Sequence, residues 1–251
     1  IGLSVGSWSK VISSSNLVKE LKIIDINSGY KELIQKYPET NSILSDPKVE
    51  LIYDDARRWL VKNPKEKFDI IVMNTTWHWR NSITNLLSKE NLKIVKNHLE
   101  KDGVYIFNNT GQPDISYTTA LVFKYVGIFG GSMVVASDRP LNLSKKDKVK
   151  GMKSFVTNGE IIYNSNLIAR EVMDTLVVNY ELKNISHDLR AMNDMWTITD
   201  DNMVTEFKRS LHTKIKKSNL SPSENKQLLK KYFFDPDNNW FHFFSKKETK
   251  S

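Results

Sequence analysis

The sequence predicts an α/β fold: a doubly wound, mostly parallel sheet with a closing antiparallel strand and a helical C-terminal extension. Three observations predict it. Short apolar, β-branched runs recur near 21–27, 49–53, 68–73 and 104–107, the signature of strands buried in a parallel sheet. Helical patterns or helix-start signals separate these runs, and strand–helix alternation builds a doubly wound sheet. The run 68–73, read as buried on both faces, changes abruptly into Asn74-Thr75-Thr76-Trp77-His78-Trp79-Arg80. Such a change marks the carboxyl end of a strand, where open α/β sheets bind ligands.

Composition narrows the function classes. A chain of 251 residues, 39% of them hydrophobic, can bury the core of one large α/β domain with additions. It has no cysteine, which excludes a disulfide framework, thiolate metal ligands and a cysteine nucleophile, and fits a reducing, cytoplasmic setting. The most apolar stretch, 120–136, is broken by Lys124, Gly127, Gly130 and Gly131, so it reads as two strands and a turn in a soluble chain rather than a membrane span. The net charge of +8 permits contact with nucleic acid or an anionic membrane surface. Lysine is spread along the chain rather than gathered in a basic aromatic block, so solvated helix faces explain the charge and nucleic acid is not the expected partner.

Taken in order, residues 1–9 look like the end of a strand lying upstream, followed by a glycine turn. Gly2 and Gly6 let the backbone approach a ligand, and a helix from about Ser7 aims its amides at the same place. A plain tight turn is the alternative. The strand 21–27 ends in Asp25, about twenty residues after the turn, the spacing at which an acid accepts the hydroxyls of a ribose; capping the helix 29–37 is its other reading. Asp55 follows the next strand, where it either caps a helix or accepts from an adenine amino group. Ser88 is the expected cap of a helix over 88–99, and Asp102-Gly103 turns into the strand 104–107.

Beyond that strand, Asp114 is expected to cap a helix over 115–123, and 127–136 to supply the closing antiparallel pair. Residues 145–153 read as a basic mobile loop, and 166–179 as a packing helix. Thr199-Asp200-Asp201-Asn202 has the composition of a metal site but no accompanying His or Cys, so no metal is expected; capping a helix over 203–211 is the plainer role. Ser221-Pro222-Ser223-Glu224 is a capping box. Trp240-Phe241-His242-Phe243-Phe244 is either docked on the domain or, if exposed, an interface. The expected organisation is a nucleotide-binding domain over 1–143, an extension packed on it over 144–245, and a disordered tail over 246–251.

Several of these stretches together resemble the spermidine synthase family, the polyamine aminopropyltransferases. They are Asp46-Pro47-Lys48-Val49-Glu50 through Asp55-Ala56, Phe68-Asp69-Ile70-Ile71-Val72, and Asn85-Leu86-Leu87-Ser88 through Gly103-Val104. Ser137-Asp138-Arg139-Pro140-Leu141 and Thr199-Asp200-Asp201 more loosely resemble spermidine synthase-like domains that follow a membrane-embedded half, which implies such a region upstream. The resemblance implies a Rossmann-like, methyltransferase-type sheet that takes S-adenosylmethionine or its decarboxylated form, and a homodimer. Gly2, Ser4 and Gly6 would line the methionine-derived tail, Asp25 with Ile26 the ribose, and Asp55 with Ala56 the adenine.

In that family the strand matching 68–73 ends in an aspartate that takes a proton from the attacking amine, with a second aspartate nearby. Here those positions hold Asn74 and Trp77. An amide can orient an amine through its carbonyl oxygen but cannot deprotonate it. Thr75 shares the loop, and His78 is the nearest replacement base or else a surface histidine stacked between tryptophans. Trp77 either faces the substrate cation or caps the core. Asp200 and Asp201 could restore the missing negative charge. The expected acceptor is a small amine or another small molecule. Aminopropyl transfer, methyl transfer and a nucleoside-binding module without turnover all remain open.

Overall fold

A computed structural model describes residues 1–74, 83–202 and 221–231. In chain order its strands are β1 Leu21–Asp25, β2 Val49–Tyr53, β3 Phe68–Met73, β4 Leu99–Asn108, β5 Tyr125–Phe129, β6 Met133–Ser137, β7 Val156–Thr157 and β8 Glu160–Ile161. The helices are α1 Ser7–Ser13, α2 Gly29–Gln35, α3 Ala56–Lys62, α4 Thr84–Leu87, α5 Lys89–Asn97, α6 Pro113–Ala120, α7 Lys145–Met152, α8 Ile162–Ser165, α9 Leu167–Met173 and α10 Ser186–Ala191. A further helix covers Pro222–Leu229. The chain divides into two compact units, one of Ile1–Trp59 with Asn142–Glu181 and one of Leu60–Leu141 with Leu182–Ser251.

In the first unit β1 and β2 pair in parallel, from Leu21 opposite Val49 to Asp25 opposite Tyr53. Leu3, Ile23, Ile34 and Ile43 are buried under this pair, with Tyr30, Leu44 and Leu51 packed against them. Packing decides the conformation of Gly6: φ is +81°, and a Cβ there would stand 2.9 Å from Ile43 Cδ1 and 3.1 Å from Ile34 Cδ1. Only glycine fits that backbone without strain. Residues 142–181 tie to the same unit through Asn16 N–H to Ser154 O (2.8 Å), Val156 N–H to Ser14 O (2.9 Å) and the Ser15–Ser154 hydroxyl pair (2.7 Å).

The expected loop at 145–153 is instead the helix α7. Ser144 caps it, its hydroxyl accepting from Asp147 N–H at 3.1 Å; a lysine-rich run after a good cap has enough helix propensity to form one turn after another. The expected helix over 166–179 is α9 followed by a π-helical turn, Asp174–Val178, and its first turn does not pack, because Leu167 and Ile168 are exposed.

The second unit holds a four-stranded sheet in the order β3-β4-β6-β5. β3 and β4 are parallel, with Met73 opposite Phe107; β6 runs antiparallel to both β4 and β5, which gives the closing antiparallel pair. β3 is an end strand of this sheet, and Ile70 is accordingly exposed, so the reading of this run as buried on both faces fails there. Met73, Tyr105, Phe107, Phe123, Leu92 and Ile115 fill the core. Tyr105 stacks on Phe107 with ring centroids 4.6 Å apart, and its hydroxyl donates to Met73 Sδ at 3.4 Å. Burial raises the pKa of that phenol far above its usual value.

The capping box at Ser221 forms as expected, with Glu224 N–H donating to Ser221 Oγ and Ser221 N–H to Glu224 Oε2. The Ser221 hydroxyl, which donates to Glu224 Oε2 at 2.6 Å, and then the Ser221 N–H hold the Glu224 carboxyl below the usual carboxylate range. Among the described residues no helix is long and apolar enough to cross a membrane. The helix expected at 203–211, the aromatic run 240–244 and the tail 246–251 lie outside the described residues.

Candidate functional site

The candidate binding residues of the first unit gather at the carboxyl edge of its parallel pair. Asp25 ends β1 opposite Tyr53, and Asp54 N–H donates to Asp25 O at 3.2 Å, so the two strand tips lie side by side. The turn 2–6 crosses this edge, pinned by Gly2 N–H to Ile24 O (2.9 Å). Three residues of the turn have positive φ: Gly2 at 88°, Ser4 at 49° and Gly6 at 81°. Ser4 is the exceptional one, since a side chain rarely enters the left-handed region without local compensation.

Asp25 supplies that compensation. Its Oδ2 accepts from Leu3 N–H at 2.6 Å and from Ser4 N–H at 3.4 Å, while Oδ1 accepts from Asn27 N–H at 2.8 Å. The carboxylate is buried, yet its neighbours Ser4, Ile26 and Asn27 are exposed. It therefore works first as the clamp of the glycine turn. Two carboxylate oxygens offer about four acceptor positions, so a ribose diol can still be accepted beside the turn amides. The other reading of Asp25, as cap of the following helix, does not hold: α2 has no side-chain cap.

Asp55 does cap a helix. Its Oδ1 accepts from Arg58 N–H at 2.7 Å in the first turn of α3. Capping occupies one oxygen and leaves the residue half-buried at the strand tip, so the two readings of Asp55 are compatible. Ala56 is buried behind it. Asp54, which the sequence did not single out, accepts from Asp55 N–H at 2.7 Å and pairs with Arg58; consecutive aspartates before a helix are the signal that could have found it.

In the second unit Asn74 follows β3 directly and is exposed. Thr75, Trp77 and His78, with Trp79 and Arg80, lie outside the described residues. Asp200 and Asp201 sit on a strap, residues 195–202, held by side chains of two helices. Asp114 Oδ1 accepts from Trp196 N–H (2.8 Å), Thr118 Oγ1 from Ile198 N–H (2.9 Å), and Glu90 Oε2 from Asp200 N–H (3.1 Å). Asp114 thus anchors the strap rather than capping a helix; α6 begins at Pro113, one residue before it, as Pro at the first helical position signals. Glu90 and Thr118 were missed because nothing local ties them to residues eighty or more positions away. Among the described residues no three His, Asp or Glu side chains gather closely enough to hold a metal.

A cleft of about 730 Å³ in this unit, lined by Leu60, Lys67, Ile94, Lys96, His98 and Arg139 among others, opens at the amino end of β3 and β4, away from Asn74. Three of its cations are engaged: Lys96 Nζ with Val122 O and Asp138 (both 2.8 Å), Arg139 with Asp102, and Lys67 with Asn97 O. Lys67 covers the carbonyl of Asn97 at the end of α5, and Lys96 that of Val122 shortly after α6.

Comparison with known proteins finds relatives of the first half of the chain. Residues 6–124 match the spermine/spermidine synthase domain; Gly2 and Ser4 precede the matched residues. Polyamine aminopropyltransferases from strains of Buchnera aphidicola subsp. Acyrthosiphon pisum are 28% identical over 114 residues, which is 43% of this chain and 38% of theirs. The match thus spans well under half the length of these curated relatives. Among solved structures, spermidine synthase from Thermotoga maritima superposes with a TM-score of 0.51 at 18% identity, covering 74% of this chain and 65% of that one. A spermidine synthase in complex with the transition state analogue AdoDATO does so at 0.51 and 19% identity, covering 74% and 64%.

Proposed function

With residues 6–124 a spermidine synthase-like domain on a methyltransferase-type fold, we propose that this chain binds S-adenosylmethionine or its decarboxylated form and transfers an aminopropyl group to a small amine. The observation that carries the reading is the Asp25 clamp on the turn 2–6, one carboxylate organising the backbone a nucleoside would approach. Gly2, Ser4 and Gly6 then bound the methionine-derived tail, Asp25 with Ile26 the ribose, and Asp55 with Ala56 the adenine. When bound, the sulfonium makes its neighbouring carbon electrophilic, and holding the amine in line supplies much of the rate. Asn74 and Thr75 orient that amine, Trp77 with Asp200 and Asp201 receives its cationic end, and His78 takes its proton.

Asn74 in the family's catalytic position also supports a second reading, methyl transfer to a less cationic acceptor, and a third, a nucleoside-binding module without turnover. Calorimetry with S-adenosylmethionine, decarboxylated S-adenosylmethionine and methylthioadenosine tests the binding half. Wild type should bind at least one, and Asp55→Ala should weaken it about tenfold through one lost charge-assisted hydrogen bond; a well-folded wild type that binds none removes all three readings. Putrescine-dependent release of methylthioadenosine separates aminopropyl transfer from the others. A rate that rises in Asn74→Asp supports the assigned position, and a rate indifferent to His78→Ala removes His78 as the base.

A further inference from the structure

The strap 195–202 lies at the same edge of the second unit's sheet as Asn74. α5 ends beside the start of β3, where Phe68 N–H donates to His98 O at 2.9 Å, so the helix runs antiparallel to that strand and its first turn returns toward the strand's carboxyl end. α6 starts where β4 stops: Asn109, one residue past the strand, donates from Nδ2 to Ser116 Oγ at 2.8 Å. The strap bridges these two helix starts. Trp196 is held by Asp114, Ile198 by Thr118 and by Lys89 N–H, which donates to Ile198 O at 2.8 Å, and Asp200 by Glu90. Open α/β sheets bind their ligands at this edge.

The tip of the strap is a locked turn. Buried Ile198 anchors it from below. Asn202 closes it, its Oδ1 accepting from Thr199 N–H at 3.1 Å and its Nδ2 donating to Thr197 O at 2.7 Å. Glu90 Oε2 then accepts from Asp200 N–H at 3.1 Å, across 110 residues of sequence. Glu90 has a local reason to stand in the first turn of a helix capped by Ser88, since a carboxylate suits the positive end of the helix dipole. A carboxylate left in water would serve that purpose equally, so the bond to Asp200 needs a reason of its own. Asp200 is half-buried and Asp201 exposed. The charged residues of 88–91 and 199–202 are Glu90, Asp200 and Asp201 against Lys89 alone, a balance that favours a cationic group at the tip.

We propose that Glu90 is a positioning residue for the acceptor: by holding the Asp200 amide it fixes Asp200 and Asp201 at the edge that carries Asn74, and so sets the affinity for a cationic amine. The inference rests on the reading that Asp200 and Asp201 receive the acceptor's cationic end. Without Glu90 the tip is free to move, and ordering it again when the amine binds costs affinity. The reacting atoms are untouched, so the loss falls on KM and leaves kcat in place.

The test sets wild type beside Glu90→Ala, Glu90→Gln, Asp200→Asn and the double variant Glu90→Ala with Asp200→Asn. Calorimetry measures methylthioadenosine binding, then putrescine binding to the chain saturated with methylthioadenosine, and a turnover assay with decarboxylated S-adenosylmethionine gives KM and kcat for putrescine. Methylthioadenosine affinity should be the same in every variant. Glu90→Ala should weaken putrescine about tenfold, in Kd and KM alike, with kcat within about twofold, and the Asp200 amide should exchange faster with solvent. Glu90→Gln keeps an acceptor oxygen for that amide and should restore affinity to within about twofold of wild type. The double variant should lose less than the two single losses multiplied, because Glu90 acts through Asp200. Putrescine affinity unchanged in Glu90→Ala overturns the proposal. So does Glu90→Gln as weak as Glu90→Ala, which would make the Glu90 charge itself a contact of the amine, and so do losses that multiply in full. Wild type that binds methylthioadenosine and not putrescine also overturns it and leaves the nucleoside site standing, whereas well-folded wild type that binds no nucleoside removes the underlying reading with it.

Discussion

Replacing Asp25 by alanine should destabilise the protein by about 3 kcal/mol, because the carboxylate is the acceptor for two well-formed backbone donors. Leu3 is 3% exposed, so its N–H loses a 2.6 Å charge-assisted bond and finds no water in exchange; an orphaned buried donor of this kind costs about 2–3 kcal/mol. Asn27 is exposed and its amide rehydrates, which limits that loss to about 0.5–1 kcal/mol. Ser4, freed from the clamp, can leave the left-handed region and recover part of its strain. Asp25→Asn keeps one acceptor oxygen, which can serve the buried Leu3 amide, and should cost about half as much. Urea unfolding at pH 7, followed by circular dichroism with the slope unchanged, measures both. A loss below about 1 kcal/mol for the alanine variant would refute the clamp and leave Asp25 as a ligand-binding residue only.

Three further outcomes follow from the same geometry. Gly6→Ala combines a positive φ with a Cβ 2.9 Å from Ile43 Cδ1, and should cost about 2–4 kcal/mol in the same assay. Ser144→Ala removes the cap of α7 and should cost about 1 kcal/mol, seen as faster amide exchange in residues 145–148 before any global change. Tyr105→Phe loses only a weak bond to sulfur and should shift stability at pH 7 by less than about 1 kcal/mol. Burial raises the folded pKa of Tyr105, so the stability it contributes is complete below the ordinary tyrosine value and falls as pH rises beyond it, because only the unfolded chain ionises there. The wild type should therefore lose about 1.4 kcal/mol per pH unit above pH 10 that Tyr105→Phe does not. Equal alkaline slopes would refute that burial.

Strand and helix identity was legible in the sequence wherever the signal was local. The runs at 21–25, 49–53 and 68–73 form β1, β2 and β3, Ser88 caps α5, and Ser221 with Glu224 closes a capping box, because alternation, branching and caps act within a few residues. The basic run 145–153 misled: lysine density suggested a loop, while the cap at Ser144 and the high helix propensity of lysine make α7. Asp55 was legible as cap and candidate ligand at once, since both roles follow from its place after a strand.

The sequence by itself determined that an acid stands one strand beyond a glycine turn, and that an amide, Asn74, follows the run 68–73. It did so because residue type and spacing are one-dimensional facts. Only the tertiary structure decided that Asp25 spends its oxygens on Leu3 and Asn27, that Asp114, Thr118 and Glu90 hold the strap bearing Asp200, and that Leu167 and Ile168 remain in water. A hydrogen bond has no preferred separation along the chain, and burial is a property of what folds over a side chain. Those facts exist only once distant segments have met.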